Sequence, residues 1–210
     1  LALSANAIDE GDLDRAVAEA RAALGPLRVG VNNVGNFGAH ASSPVLEHGW
    51  DFWQTAIDQN LHTCFNVSRS VSRRMIEDGV PGALVFIASL AGLRGSPNLA
   101  PYGAVKAGVI QFTMTMALEL APHRIRVNCV GPTAIDSPML RERLTDESIA
   151  KRAASIPLGR IASPEDIGGV VVMLASDLAG FVTGQTVMAD GGVSCTSQRP
   201  SMNPGEARMR

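Results

Sequence analysis

Short apolar runs alternate along this chain with longer stretches of helical periodicity. Leu13, Val17, Ala20 and Leu24 recur at helical spacing within 11–24, with Asp9 or Asp12 placed to cap the segment and Gly25-Pro26 to end it. The run 27–31 is short and apolar, as a buried strand is. Phe52, Ala56, Ile57, Leu61, Cys64, Phe65, Val67 and Val71 then mark the core side of one long helix over 50–76, broken by Gly79-Val80-Pro81-Gly82. The pattern goes on to predict a strand at 83–88 and a helix at 101–121, opened by Pro101 and closed by Pro122. A third strand follows at 125–130, then a helical lid over 138–154, a helix over 164–175 capped by Ser163, and a last strand at 186–189. Strands alternating with helices in this way predict an α/β fold, a parallel sheet covered by helices on both faces.

Composition narrows the function classes. The 210 residues are enough for one domain with a sizeable core, and 46% hydrophobic against 18% charged residues is the balance of an ordinary globular chain. A net charge of -2 gives no reason to expect nucleic acid or an anionic membrane as partner. No apolar run is expected to reach the length of a membrane span, and the first residues show no secretory pattern. Cys64, Cys129 and Cys195 are odd in number and far apart, and Cys129 sits in an apolar run, so free thiols and a cytoplasmic setting are expected. His40, His48, His62 and His123 lack metal-ligand spacing, and no metal is expected. The Ser-, Pro- and Arg-rich tail 194–210 has little to bury and is expected to be loose, leaving 1–193 as the domain.

The candidate chemistry centres on Tyr102 and Lys106. Four residues apart on a helix, a phenol and an ammonium share a face. The cation favours the phenolate, which brings a tyrosine toward use as a general acid/base near neutral pH; the alternative is a chance pair on a solvated face. Ser89 closes the strand Val85-Phe86-Ile87-Ala88-Ser89 at the sheet edge where ligands bind in such folds, or it merely ends the strand. Asn60 lies inside the long helix, where asparagine is a poor helix former. It is either exposed, or it bends the backbone and holds a water.

Ser89, Tyr102 and Lys106, in this order and spacing, resemble the catalytic set of the short-chain dehydrogenase/reductase family, specifically its 3-oxoacyl-thioester-reductase-like members. Asn32-Asn33-Val34-Gly35 is similar to that family's strand-end motif, and Asn60-Leu61 to the helix asparagine that completes its tetrad. Ile125-Arg126-Val127-Asn128 with Pro132, Leu158-Gly159-Arg160 with Pro164-Glu165-Asp166-Ile167, and Thr183-Gly184-Gln185 with Asp190-Gly191-Gly192 resemble its later motifs in order. The resemblance runs from about residue 5 to 193. It implies a doubly wound, Rossmann-like parallel sheet and a nicotinamide-dependent oxidoreductase of carbonyl or secondary-alcohol substrates, using NAD or NADP.

By resemblance, Tyr102 is the proton donor in reduction and the base in oxidation, and is also a cofactor-binding residue. Lys106 lowers its pKa and binds the nicotinamide ribose, Ser89 holds the substrate carbonyl, and Asn60 holds a water that relays protons. Asn33 with Gly35 lies by the adenosine ribose and helps to fix the sheet. Pro132, Ile135 and Ser137 meet the carboxamide and phosphate side, and Asn6 stands where an adenine-contacting Asp is frequent. A substrate pocket is expected from 36–41, 90–99 and the lid, with Leu93, Leu99, Met139, Leu140 and Leu144 suiting a partly apolar small-molecule substrate. A homo-oligomer, tetramer or dimer, is also implied.

Three departures stand out. No Gly-x-x-x-Gly-x-Gly phosphate loop occurs in this sequence, so the first two strands and that loop are expected to be missing. The chain is expected to begin within the family's third strand at 1–5, and by itself to bind nicotinamide cofactor poorly. Val34 and Thr133 add bulk where the family has Ala and Gly, and Thr133 is expected to resist the local turn. The alternative reading is a catalytically silent fragment, a binding or scaffold protein that retains the fold. A serine hydrolase is excluded because Ser89 lacks the flanking glycines of a nucleophile elbow.

Overall fold

The computed structural model describes residues 1–35 and 43–196; the expected pocket segment 36–41 and most of the tail, 197–210, lie outside the described residues. Four parallel strands form one sheet in chain order: β1 (Val29–Asn32), β2 (Gly82–Ile87), β3 (Ile125–Pro132) and β4 (Thr186–Ala189). Ahead of β1 lies α1 (Glu10–Leu24). Next come α2 (Trp50–Ile57), α3 (Thr63–Glu77) and α4 (Ala100–Leu120), then α5 (Pro138–Arg143), α6 (Asp146–Ala154) and α7 (Pro164–Ala175). Helices α1, α3 and α4 pack on one side and α7 on the other, so the sheet is doubly wound.

The core follows from strand alternation. Leu84 and Phe86 of β2, with Ile125, Val127 and Cys129 of β3, meet α3 and α4, while Val85 and Val130 point the opposite way onto α7. Burial on both faces is why β2 reads as an unbroken apolar run, while β3 carries Arg126 and Asn128 between its apolar residues. Two polar residues, buried Asn128 and half-buried Arg126, lock β3 in place. Asn128 donates to Val182 O at 2.8 Å and accepts from Gln185 N at 3.0 Å, and Arg126 donates to the Leu174 and Ser176 carbonyls at the end of α7. They satisfy main-chain groups that burial and the helix terminus otherwise leave unpaired. On the other side, Asp14 pairs with Arg74, and Arg21 with Glu77 and Asp78, joining α1 to α3.

Four expectations need correction. Residues 1–6 form no strand and are exposed; a strand needs a ladder partner, and among the described residues none pairs with this segment. The long helix 50–76 is interrupted by a π-turn over Asp58–His62, around Asn60. The lid is two helices, because Leu144 is extended and Thr145 starts α6 afresh by accepting from Ser148 N. Last, Ala100–His123 is long and apolar enough, by length and composition, to cross a membrane. Packing explains its character: Val105, Val109, Ile110, Ala117 and Leu120 are buried, and α4 packs along β3.

Candidate active site

The carboxyl ends of β1 and β2 carry the candidate residues. Beyond β2 the chain turns at Ser89, whose hydroxyl accepts from Ala91 N at 3.2 Å and starts a single helical turn over Leu90–Gly92. That turn lies hard against α4: a Cβ on Gly92 would fall 2.7–2.9 Å from the backbone of Lys106 and Ala107. Glycine there is what permits the contact, and this signal was missed in the sequence. The approach brings the Ser89 and Tyr102 hydroxyls into hydrogen bond.

Tyr102 and Lys106 stand one turn apart on α4, as their spacing predicts. Lys106 is 3% exposed, and its ammonium donates to Ile87 O at 2.8 Å and lies 5.6 Å from the centroid of the Tyr102 ring. Burial dominates the electrostatics. It pushes the Tyr102 phenol up, partly offset by the Ser89 hydrogen bond, and takes Lys106 down to about 8. The expectation that Lys106 draws the Tyr102 pKa down is therefore corrected: desolvation outweighs any pull from the ammonium at this separation.

Asn60 is fully buried, which overturns its reading as a surface residue. Its Nδ2 donates to Ala56 O at 2.9 Å, one helical turn back, inside the π-turn. Such turns inside α-helices are frequent at functional sites. The main chain of Gly35 closes the group: a Cβ built on it would lie 2.8 Å from Lys106 Nζ and 2.9 Å from Asn60 Oδ1. Gly35, Asn60, Lys106, Tyr102 and Ser89 thus form one continuous cluster.

The other predicted residues fall around this cluster. Asn33 is exposed past the end of β1, and the tie to the sheet expected of it belongs to its neighbour Asn32. Asn32 is 2% exposed, and its Nδ2 donates to Cys64 Sγ at 2.9 Å and, at 3.5 Å, to Thr63 Oγ1. Strand alternation, with Gly30 and Asn32 facing inward, decides which asparagine is buried. Asn6 stands apart in the turn before α1, with its Oδ1 taken by Ile8 N at 3.1 Å. Pro132 ends β3, Ile135 bridges to Ala162, and Ser137 caps α5 by accepting from Leu140 N at 3.3 Å. Thr133 is unstrained: among the described residues only Asn98 and Arg124 are non-glycine residues at positive φ. A cavity of about 200 Å³ opens beside it, lined by Thr133, Ile156, Leu158, Ala162, Val170 and Asp190 among others, and not by the expected lid leucines. No metal-binding cluster occurs among the described residues.

Comparison with known proteins gives a consistent picture. A family model described as enoyl-(acyl carrier protein) reductase matches residues 1–194. The chain is 38% identical over 173 residues to a 3-oxoacyl-[acyl-carrier-protein] reductase of Chlamydia muridarum, covering 82% of this chain and 68% of that protein. A second chlamydial reductase is matched over 64% of its length, so the chain spans about two thirds of these relatives. Among solved structures, a putative short-chain dehydrogenase/reductase from Burkholderia xenovorans superposes with a TM-score of 0.85 at 33% identity, covering 93% of this chain and 75% of that one. A gluconate 5-dehydrogenase from Burkholderia cenocepacia, in complex with NADP and tartrate, gives 0.83 at 28% identity over 90% of this chain and 73% of that one.

Proposed function

This chain belongs to the short-chain dehydrogenase/reductase family, and on that premise we propose that it serves a nicotinamide-dependent oxidoreductase acting on a carbonyl or secondary-alcohol substrate. The observation that carries the reading is the convergence of Ser89, Tyr102, Lys106 and Asn60 at the open carboxyl end of the sheet, where ligands bind in such folds. Family membership alone gives no catalysis; a paired serine and tyrosine beside a buried ammonium gives the means.

The residues suit a nicotinamide–ribose moiety. Gly35 leaves bare main chain where a side chain would fill the space before Lys106 and Asn60. An ammonium has three donors, of which Ile87 O takes one. NAD or NADP is the proposed cofactor, in keeping with the NADP held by the gluconate 5-dehydrogenase relative. Asn6, Asn33, Pro132, Ile135 and Ser137 are proposed around the remainder of the dinucleotide.

When bound, the nicotinamide supplies or accepts the hydride. Ser89 and Tyr102 present two hydroxyls to one substrate oxygen. Ser89 orients the carbonyl, and Tyr102, whose phenol burial pushes up, gives its proton as negative charge grows on that oxygen. Lys106 holds positive charge beside the phenol, and Asn60 keeps a polar path to Lys106 through the π-turn. The proposed substrate is a small molecule with some apolar character; a 3-oxoacyl thioester and a secondary alcohol both suit it. We further place the protein in the cytoplasm as a homo-oligomer, dimer or tetramer, with neither nucleic acid nor membrane as partner.

The test is a fluorescence titration of the chain with NADH and NADPH, followed by turnover of a 3-oxoacyl thioester and a ketose, read as loss of reduced nicotinamide. Saturable binding of one dinucleotide with turnover supports the reading. Binding without turnover of any carbonyl substrate, or no binding even with a strand–glycine loop–helix segment fused ahead of Leu1, favours the silent scaffold instead.

A further inference from the structure

The π-turn that carries Asn60 is held from outside its own helix. Gly30 lets β1 approach α3 closely: a Cβ there would lie 2.8 Å from Leu84 Cδ2 and 3.0 Å from Val71 Cγ1. Two residues on, the Asn32 carboxamide reaches the first turn of α3, donating to Cys64 Sγ and Thr63 Oγ1. The Thr63 hydroxyl is itself fully buried and donates to Asn60 O at 3.1 Å, with a longer contact to Gln59 O at 3.5 Å. A π-turn withdraws carbonyls from the regular helical ladder, and a buried carbonyl without a donor is costly. Thr63 supplies that donor, and Asn32 sets the orientation of Thr63.

We propose that Asn32 and Thr63 are positioning residues, a clamp from β1 that sets the π-turn and thereby the approach of Asn60 to Lys106. Neither touches the reacting atoms. The consequence for turnover rests on the proposed function; the effect on Lys106 does not. The groups facing Lys106 are Tyr102 on its own helix, Cys64 from α3 and Cys129 from β3, together with the Ile87 carbonyl and the Asn60 amide. Withdrawing the amide dipole leaves the ammonium worse solvated, so its titration midpoint drops.

The chain has only two lysines, Lys106 and the exposed Lys151, so selective 13Cε-lysine labelling gives two NMR signals to titrate. Thr63→Val removes the hydroxyl at constant shape, and Thr63→Ser retains it. Asn32→Leu removes the carboxamide donor; its Oδ1 is buried with no hydrogen-bond partner, so no donor is stranded by the change. In Thr63→Val and Asn32→Leu the Lys106 midpoint is expected to fall by at least about 0.5, with faster amide exchange across 58–64. Lys151 and Thr63→Ser are expected to match the wild type. A Lys106 midpoint and 58–64 exchange unchanged in Thr63→Val, or in Asn32→Leu should Thr63→Val not fold, would overturn the clamp. Where the protein turns over, kcat falls by about tenfold in Thr63→Val with KM retained. A normal midpoint in an active enzyme sinks the clamp alone; a shifted midpoint in an inactive protein sinks the oxidoreductase reading alone.

Discussion

Val130 on β3 is fully buried, whereas Val31 on β1 keeps 44% of its surface exposed, although both are β-branched residues near the carboxyl ends of parallel strands in one sheet. The difference is coverage. β3 lies between α4 on one face and α7 on the other, while α7 packs on β2, β3 and β4, leaving the outward face of β1, with Val29 and Val31, in solvent. The two halves of the candidate site inherit this contrast. Ser89, Tyr102 and Lys106 hang from strands and helices packed on both sides; Asn33 and Gly35 hang from a strand covered on one. Proton-transfer groups need fixed geometry and low dielectric, and they sit on the stiffer half.

The largest effect expected of this contrast is chemical. Tyr102→Phe keeps the ring and its packing and removes only the hydroxyl bonded to Ser89. Turnover is expected to drop by about a thousandfold, far more than dinucleotide affinity or thermal stability; retention of even a tenth of the activity would place the acid elsewhere. The next effect is on stability. Val130→Thr buries a hydroxyl among Val85, Ile167 and Leu174, and is expected to cost about 1–3 kcal/mol in urea denaturation.

What the sequence made legible follows the same division. The β2 run and the Tyr102–Lys106 pair were readable because double burial leaves a continuous apolar run and helical spacing fixes which side chains share a face. The π-turn was hidden: one inserted residue shifts the phase of an amphipathic pattern too little to show within 50–76, and only the awkward Asn60 marked it. Asn32 was passed over for Asn33 because adjacent residues of a strand differ only in parity, and the clue to parity was Gly30. The direction of the Tyr102 shift was misjudged because spacing shows neighbours but not burial, and burial dominates at this site.

Burial also gives a pH signature, of intermediate size. Lys106 in the folded protein titrates near about 8, below its ordinary 10.5. Between those values the unfolded chain holds a proton that the folded protein has lost, so stability rises with pH as the solution passes upward through 8. Cys64 works the other way: pushed up to about 11 from 9.0, it keeps its proton when folded, and its contribution falls as pH rises above 9. The Lys106 contribution is isolated by comparison with Lys106→Met. Between pH 7 and 9 the wild type is expected to gain about 1 kcal/mol relative to that variant in urea midpoints. Parallel pH profiles for the two proteins would mean that water reaches the ammonium.

The smallest expected effect is the most direct check on the contrast itself. Val31→Thr makes the same chemical change as Val130→Thr, one strand-end valine to its hydroxyl isostere, on the face of β1 that lies in solvent. The hydroxyl stays hydrated and threonine suits a strand as well as valine does, so the change is expected to fall within about 0.5 kcal/mol. A cost equal to that at Val130 would mean that the outward face of β1 is covered in solution. Measurement at several protein concentrations then identifies the cover: a penalty that grows with concentration comes from a second copy seated on β1, because only an associated state is stabilised by mass action.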